Sequence, residues 1–318
     1  MQGALRLPET ARSSKRKRFI SPRKLRETLT AYGFLAPYLL ILATFTLIAA
    51  VYAFYLSFFS VDLGFTEPTY VGIKNFQHIW IDLTHNGDFF ISLKNIVFYT
   101  IIVVIAQTVL ALTLALLLNQ KVRGRGVFRT AFYLPALTSS VAITLIFIWL
   151  YNSEGAINYL LSLVGIHGPA WLYDPSTALP AIMILNVWTT APTFMLLYLA
   201  ALQDIPDNLF EAARVDGASS WDVTRRITIP LLRPTTFLVT ALGSIGCFQM
   251  FDQAFLIGGQ NGDPLKSTLT PVLEIYSTAF YGSNPRMGLA CAEAVVLFVV
   301  ILLFTILQRR FIDANVEY

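Results

Sequence analysis

The sequence predicts an all-α membrane protein with six transmembrane helices, both termini cytoplasmic and a helical hairpin on the cytoplasmic face. Three observations carry that reading. Apolar residues make up 55% of the 318-residue chain and Asp, Glu, Lys and Arg only 13%, about half the charged share of a soluble domain. The mean hydropathy is +0.61, and long intervals hold no charged side chain at all. Lys and Arg fall mostly on one side of those intervals. This composition excludes disorder, a fibrous protein and an ordinary soluble enzyme.

The spans follow from the charges that bound them. The first, about 32–59, lies between Glu27 and Asp62. Lys94 and Lys121 bound 95–120, Arg129 and Glu154 bound 130–153, and Asp174 and Asp204 bound 176–203. Each exceeds the roughly 20 residues a helix needs to cross the hydrocarbon. Two more spans hold one acid each, Asp252 in 235–257 and Glu293 in 287–308. A basic tail over 1–30 precedes a six-helix domain over 31–311, and a short tail over 312–318 follows. The first apolar core is too long, and its leader too extended, for a cleavable signal peptide.

Orientation is set by Lys and Arg. Nine lie in the N-terminal tail; four more (Lys121, Arg123, Arg125, Arg129) follow span two. Arg214, Arg225, Arg226 and Arg233 follow span four, and Arg309 and Arg310 follow span six. Only Lys74, Lys94, Lys266 and Arg286 fall on the other side, so both termini are expected in the cytoplasm. Basic residues placed beside apolar spans argue against nucleic acid as a partner. Two cysteines inside apolar stretches and three scattered histidines form neither a disulfide framework nor a metal site.

Residues 205–230 carry the punctuation of two short helices. Pro206 and Asp207 suit a first turn, and Gly217 suits a helix end because only glycine enters the left-handed region freely. Ser219 with Asp222 reads as a variant capping box, and Pro230 and Pro234 are expected to stop the second helix before span five. Small residues after Glu211, together with Asp216, suit a face on which another protein docks. A loop lying on its own protein is the alternative.

Residues 211–234, EAARVDGASSWDVTRRITIPLLRP, resemble the EAA motif of permease subunits in ATP-binding-cassette importers. Glu211, Ala212, Ala213, Gly217, Ile227, Ile229 and Pro230 occupy its positions. Ile229 stands where the family commonly has Leu, and Thr224 where it commonly has an aromatic, leaving Trp221 as the large ring of the motif. SFFSVDLGF, YVGIKNF, RGRGVFRTAFYLP and FQMFDQAFLIGG agree, and the similarity runs from about Pro37 to Phe311. It is closest to the maltose- and glycerol-phosphate-type carbohydrate branch.

That resemblance implies a non-catalytic transmembrane subunit of an ATP-driven importer in the inner (plasma) membrane of a prokaryote. The expected partners are a second related permease, two ATPase subunits, an extracytoplasmic sugar-binding protein and the bilayer itself. No cofactor is expected on this chain. It has no G-x-x-x-x-G-K-[ST] phosphate loop, so ATP would be hydrolysed by the partners. The ATPase-coupling residues would be Glu211, Ala212, Ala213, Asp216, Gly217, Trp221, Ile227 and Pro230.

Polar groups in apolar spans are costly and usually face the interior. Asn186, Trp188 and Thr189 in span four and Gln249, Asp252 and Gln253 in span five are therefore candidates for the substrate path, with Gln107 in span two. Asn186-Val187-Trp188 resembles the sugar-contacting stretch of maltose-type permeases; helix–helix bonding and packing are the alternative for each residue. Asp252 lies about where span five leaves the membrane, and Glu293 reads as an interior structural or gating carboxylate. Pro180 and Pro192 are expected to bend span four. The rival functional reading is an ion-coupled secondary transporter of a small polar solute, which calls for internal repeats that the sequence does not display. An intramembrane enzyme lacks any motif, and a purely structural subunit leaves the hairpin without a purpose.

Overall fold

A computed structural model of the chain describes residues 22–62, 67–120, 124–281 and 285–311. Nearly all of this is helix, as a chain surrounded by hydrocarbon requires. No water is present there to satisfy backbone groups, so they must bond within the segment. The chain divides into two units, Met1–Tyr52 and Ala53–Tyr318.

The first unit contains α1 (Pro22–Leu42), which widens into a π turn over Ala43–Ile48. Helix α2 (Ala49–Leu56) follows it, and residues Arg26–Leu56 together form a span of 31 residues.

In the second unit two short antiparallel strands, β1 (Phe59–Ser60) and β2 (Thr69–Tyr70), lead to α3 (Lys74–Thr84). Span two is α4 (Asp88–Asn119). Asp88 in its first turn complements the helix dipole, and apolar residues continue to its end. Gly124, left-handed at φ +81°, starts α5 (Arg125–Tyr133). A 3-10 turn over Leu134–Leu137 holds Pro135 and leads to α6 (Ser140–Leu150). Helix α7 (Ala156–Leu163) precedes span four, α8 (Ala178–Gln203). The hairpin comprises α9 (Asp207–Val215), α10 (Ser220–Val223), a π turn over Thr224–Thr228 and α11 (Ile229–Leu231). Span five is α12 (Arg233–Phe248) with α13 (Asp252–Gly258). Helix α14 (Pro271–Phe280) precedes span six, α15 (Met287–Phe311).

Five helical segments are long and apolar enough to cross a membrane, and a sixth counts if α5 and α6 form one span. Those two helices meet at 94°, so residues 130–153 are not the straight helix that their lack of charge suggests. Pro135 and the extended Thr138 and Ser139 make the corner. The 11 residues of α6 reach only about half the bilayer core.

Span five also differs from a continuous rod. It breaks at Gln249–Phe251 and resumes as α13. Asp252 therefore opens a further two turns. The break is compensated: Thr270 Oγ1 donates to the Met250 carbonyl at 2.9 Å and accepts from Leu273 N at 3.3 Å. One hydroxyl thus caps α14 and satisfies an orphaned carbonyl. In span four, Pro180 lies in the first turn, where no intrahelical bond is lost. Only Pro192 interrupts the helix interior.

Helix α4 lies at the centre of the packing. Towards one end Ile96, Tyr99 and Val103 pack with Ile182, Phe248 and Leu273. Towards the other, Ala111 and Ala115 meet Met195, Tyr198, Leu232 and Val239. Alanines four apart on one helix face let α8 approach closely, as packing in lipid requires. Glu293 on α15 is 4% exposed, and its Oε2 has no hydrogen-bond partner among the described residues.

A tight joint links the start of α15 to β1. A Cβ on Gly288 would lie 1.9 Å from the Phe59 carbonyl oxygen, whereas one on Gly246 would meet nothing within 4 Å. Gly288→Ala should therefore lower the thermal midpoint of the detergent-solubilised protein by a few degrees, and Gly246→Ala should leave it unchanged or raise it. Equal midpoints in a thermal-shift assay would show that the joint is not tight.

Candidate functional site

The hairpin is built on local rules. Helix α9 starts after Pro206, with Asp207 in its first turn. It ends in a Schellman motif: Ala218 N donates to Ala213 O at 2.9 Å and Gly217 N to Arg214 O at 3.1 Å. Gly217 takes φ +77°, a conformation that costs other residues roughly 1–2 kcal/mol. Ser219 then caps α10, accepting from Asp222 N at 3.2 Å while its hydroxyl donates to Asp222 Oδ2 at 2.5 Å. That hydroxyl, and then Arg226 at 3.5 Å, hold the Asp222 carboxyl below its ordinary range.

The second helix does not stop at Pro230. It runs to Leu231, and the break falls at Leu232, where Pro234 lies in the first turn of α12. The π turn over Thr224–Thr228 immediately precedes Pro230 and accommodates a residue without an N–H, which would otherwise clash with the preceding turn.

One side of the hairpin is anchored. Ile205 is buried and Phe210 half-buried in the cluster formed by Ala111, Ala115, Leu199, Leu202 and Leu232, and Ala213 is buried beneath α9. The other side is open. Glu211, Ala212, Asp216 and Gly217 are exposed, Ile227 and Pro230 half-buried. Glu211 and Asp216 join no ion pair among the described residues. Val215 is 87% exposed and Trp221 68%. Val215 was not among the candidates; its signal was an apolar residue on a polar helix between two acids. A cavity of about 480 Å³ lies behind the hairpin, lined by Asn119, Leu202, Phe210, Arg214 and Thr224 among others.

The intramembrane polar residues separate into two groups. Gln107 is 1% exposed and accepts from Thr190 Oγ1 at 2.7 Å. Its Nε2 has no partner among the described residues and lies where Gly243 leaves room: a Cβ there would be 2.1 Å away. Gln107 therefore joins α4, α8 and α12 and does not face a path. Tyr198 donates to Thr236 Oγ1 at 3.0 Å and Gln308 to Ser244 Oγ at 2.7 Å. These links were missed because hydroxyls carry no charge signature.

Trp188 is 46% exposed, its ring centroid 5.4 Å from that of Phe147. Asn186 is half-buried, and its Oδ1 lies 3.4 Å from Thr190 Oγ1. Thr189 bonds back to its own helix, at 3.1 Å to Leu185 O and 3.0 Å to Asn186 O. Gln253 donates to Ser140 Oγ at 3.2 Å, tying α13 to α6. Asp252 is half-buried in the first turn of α13, and Gln249 is exposed at the break. An aromatic face beside amides can receive a sugar ring and its hydroxyls. At the bundle end away from the hairpin, Lys266 is ion-paired with Asp88. Burial, with Asp88 and Asp82 nearby, raises Glu274 to about 7. Among the described residues no group of His, Cys, Asp and Glu could hold a metal ion.

Comparison with known proteins gives a consistent result. Residues 107–315 match the family described as binding-protein-dependent transport system inner membrane component. The chain is 34% identical over 295 residues to the probable ABC transporter permease protein YesP of Bacillus subtilis, covering 92% of this chain and 93% of the relative. It is 31% identical over 289 residues to the trehalose/maltose transport system permease protein MalF of Thermococcus litoralis, covering 90% and 95%. Among solved structures it superposes with TM-score 0.76 on a chain of a bacterial ABC transporter that imports the acidic polysaccharide alginate. That match has 22% identity and covers 93% of this chain and 99% of the other.

The cap makes a local prediction. Ser219→Ala should cost the hairpin about 1 kcal/mol, return the Asp222 carboxyl towards its ordinary range and speed limited proteolysis between Asp216 and Asp222. Ser219→Thr, which keeps the hydroxyl, should keep wild-type resistance. Identical cleavage of the alanine variant and wild type would contradict the capping role.

Proposed function

Because the chain belongs to the family of inner membrane components of binding-protein-dependent transport systems, we propose that it is one permease subunit of an ATP-driven carbohydrate importer. It forms half of the translocation path, pairs with a second related permease and takes its sugar from an extracytoplasmic binding protein. A relative that carries trehalose and maltose in its name supports a carbohydrate as cargo. The sequence of Lys and Arg supports placing both termini and the hairpin in the cytoplasm of a prokaryote.

The observation that carries this reading is the two-sided hairpin. Its inner side, through Ile205, Phe210 and Ala213, is packed into the core shared by α4 and α8. Its outer side offers Glu211, Val215 and Trp221 to a partner. Apolar groups this exposed, next to acids that join no ion pair among the described residues, mark a protein interface. In this account an ATPase subunit receives the hairpin in a surface cleft, with Glu211 and Asp216 meeting basic groups and Gly217 keeping the turn tight. Ile227 and Pro230 shape the return to span five. When two ATPase subunits close on ATP, the hairpin moves as a lever and the spans follow, a two-state change biased by nucleotide. The subunit itself performs no chemistry and holds no cofactor.

For the path, Trp188 and Asn186 are the leading candidates: Trp188 keeps an exposed ring face, and the Asn186 amide has a single long contact among the described residues. Gln249 and Asp252 flank the break in span five, where irregular backbone is tolerated only beside protein or a water-filled cavity. Thr189 and Gln253 serve by holding those neighbours in place.

Glu211→Lys and Gly217→Leu should each cut transport by about tenfold or more, the effect of losing about 1.4 kcal/mol of coupling. The sugar affinity of the binding protein should be unchanged. The check is uptake of labelled sugar into vesicles, alongside recovery of the ATPase with the purified complex. Normal uptake by both variants would remove the docking role.

A further inference from the structure

No acid occurs between Asp88 and Glu154, yet Lys121, Arg123, Arg125 and Arg129 crowd the turn between α4 and α5 and the start of α5. Neither Arg125 nor Arg129 forms an ion pair among the described residues. Arg125 makes one long contact, Nη1 donating to Asn119 O at 3.4 Å. Arg129 is half-buried, and its Nε and Nη2 are covered without a hydrogen-bond partner among the described residues. A guanidinium partly withdrawn from water with no counter-charge is costly to leave so. Arg125 and Arg129 are four residues apart on one helix, so the two charges are neighbours.

Beside them is an apolar cavity of about 260 Å³. Leu114, Leu117 and Leu118 of α4 and Phe128 and Phe132 of α5 line it, with Gln120 and Arg125 as its polar edge. A cavity walled by Leu and Phe stays dry and takes an apolar occupant, even at about 150 Å³. Leu117, Val127, Phe128 and Phe132 are exposed. Helix α5, turned 94° from α6, is amphipathic and suited to lie along the membrane surface. An oily cleft with an uncompensated cation at its edge is thus set where headgroups meet acyl chains.

We infer that this cleft binds an anionic phospholipid of the cytoplasmic leaflet, with part of an acyl chain against Leu114, Leu117, Phe128 and Phe132 and the phosphate at Arg125. The inference rests on the cytoplasmic placement of the hairpin side proposed above and adds a ligand to it. The lining decides between occupants. Five apolar side chains exclude a sugar, and the volume, below the roughly 300 Å³ at which small-molecule pockets begin, suits a segment of a long chain. Charge then selects among lipids: an arginine fork takes a phosphate in bidentate fashion, and a basic turn without acids favours a net negative headgroup. Asn119 and Gln120 also line the cavity behind the hairpin, so the seated lipid braces the end of α4 on which the hairpin rests.

The test uses the full-length chain with its co-purifying partners, extracted in mild detergent and offered phosphatidylglycerol and phosphatidylcholine in equal amounts. Native mass spectrometry counts the lipids retained. The wild type should prefer phosphatidylglycerol, and the double variant Arg125→Gln, Arg129→Gln should weaken that preference about tenfold or more. Leu117→Trp, which keeps both charges and fills the cleft from an exposed position, should also lower retention. Arg309→Gln, Arg310→Gln removes as much charge at the end of span six and should leave retention unchanged. A preference equal to wild type in the Arg125, Arg129 variant would overturn the inference. So would an equal loss in the Arg309, Arg310 variant, since the attraction would then belong to overall charge. Retention by the chain alone and not with its partners bound would also overturn it, because a partner would then cover this face. The placement is read separately: labelling of Val127→Cys by an impermeant maleimide from the outer face of intact cells would overturn the topology, and the leaflet assignment with it, whatever the lipid counts.

Discussion

Hydrocarbon offers no hydrogen bonds, so every backbone donor and acceptor in a span must find its partner inside the protein. Long helices answer this directly, and a break in one calls for a substitute partner. Where span five opens at Gln249–Phe251, Thr270 reaches across to the Met250 carbonyl. Where α4, α8 and α12 meet, Thr190 satisfies the Gln107 carbonyl. Where α12 and α15 cross, Gln308 meets Ser244. Apolar contact between helices gains little in lipid, so these bonds and the small-residue contacts at Ala111, Ala115 and Gly243 decide which helices are neighbours.

The same economy bears on the proposal that the hairpin transmits motion. It is joined to the bundle by Ile205 and Phe210 packed into the cluster around Ala115 and Leu202, and its turn is closed by the Schellman bonds at Gly217 and the cap at Ser219. A segment satisfied at both ends moves as one body. Close-packed interiors are bistable rather than continuously deformable, so in the proposed mechanism a displacement imposed on the hairpin would reach α4 and α8 as a change of state.

Much of this was legible beforehand. Charge-free intervals locate spans two and four because a charge in hydrocarbon is costly whatever its neighbours. Gly217 and Ser219 were legible because their roles depend on local backbone alone. The 94° corner between α5 and α6 was not: composition reports how long an apolar stretch is, not its direction, although Pro135 lies at the corner. The break before Asp252 contains neither Gly nor Pro and is stabilised by Thr270, a residue 20 positions away. Gln107 was left open between two readings for a related reason. An amide inside a span signals a buried partner or a water-filled path equally, and only the positions of Thr190 and Gly243 separate them. Val215 carried a signal, an apolar residue among polar ones, but sequence pattern does not report which face of so short a helix is left open.

The central claim is that the outer side of the hairpin meets an ATPase. Replacing Val215 by a photo-crosslinking amino acid, irradiating membranes from cells expressing the protein at its native level, and identifying the adduct by mass spectrometry addresses it directly. The account predicts an adduct containing an ATP-binding-cassette ATPase, obtained from Val215 and not from the buried Ala213. Adducts confined to this chain or to lipid, in membranes where sugar uptake is intact, would contradict it.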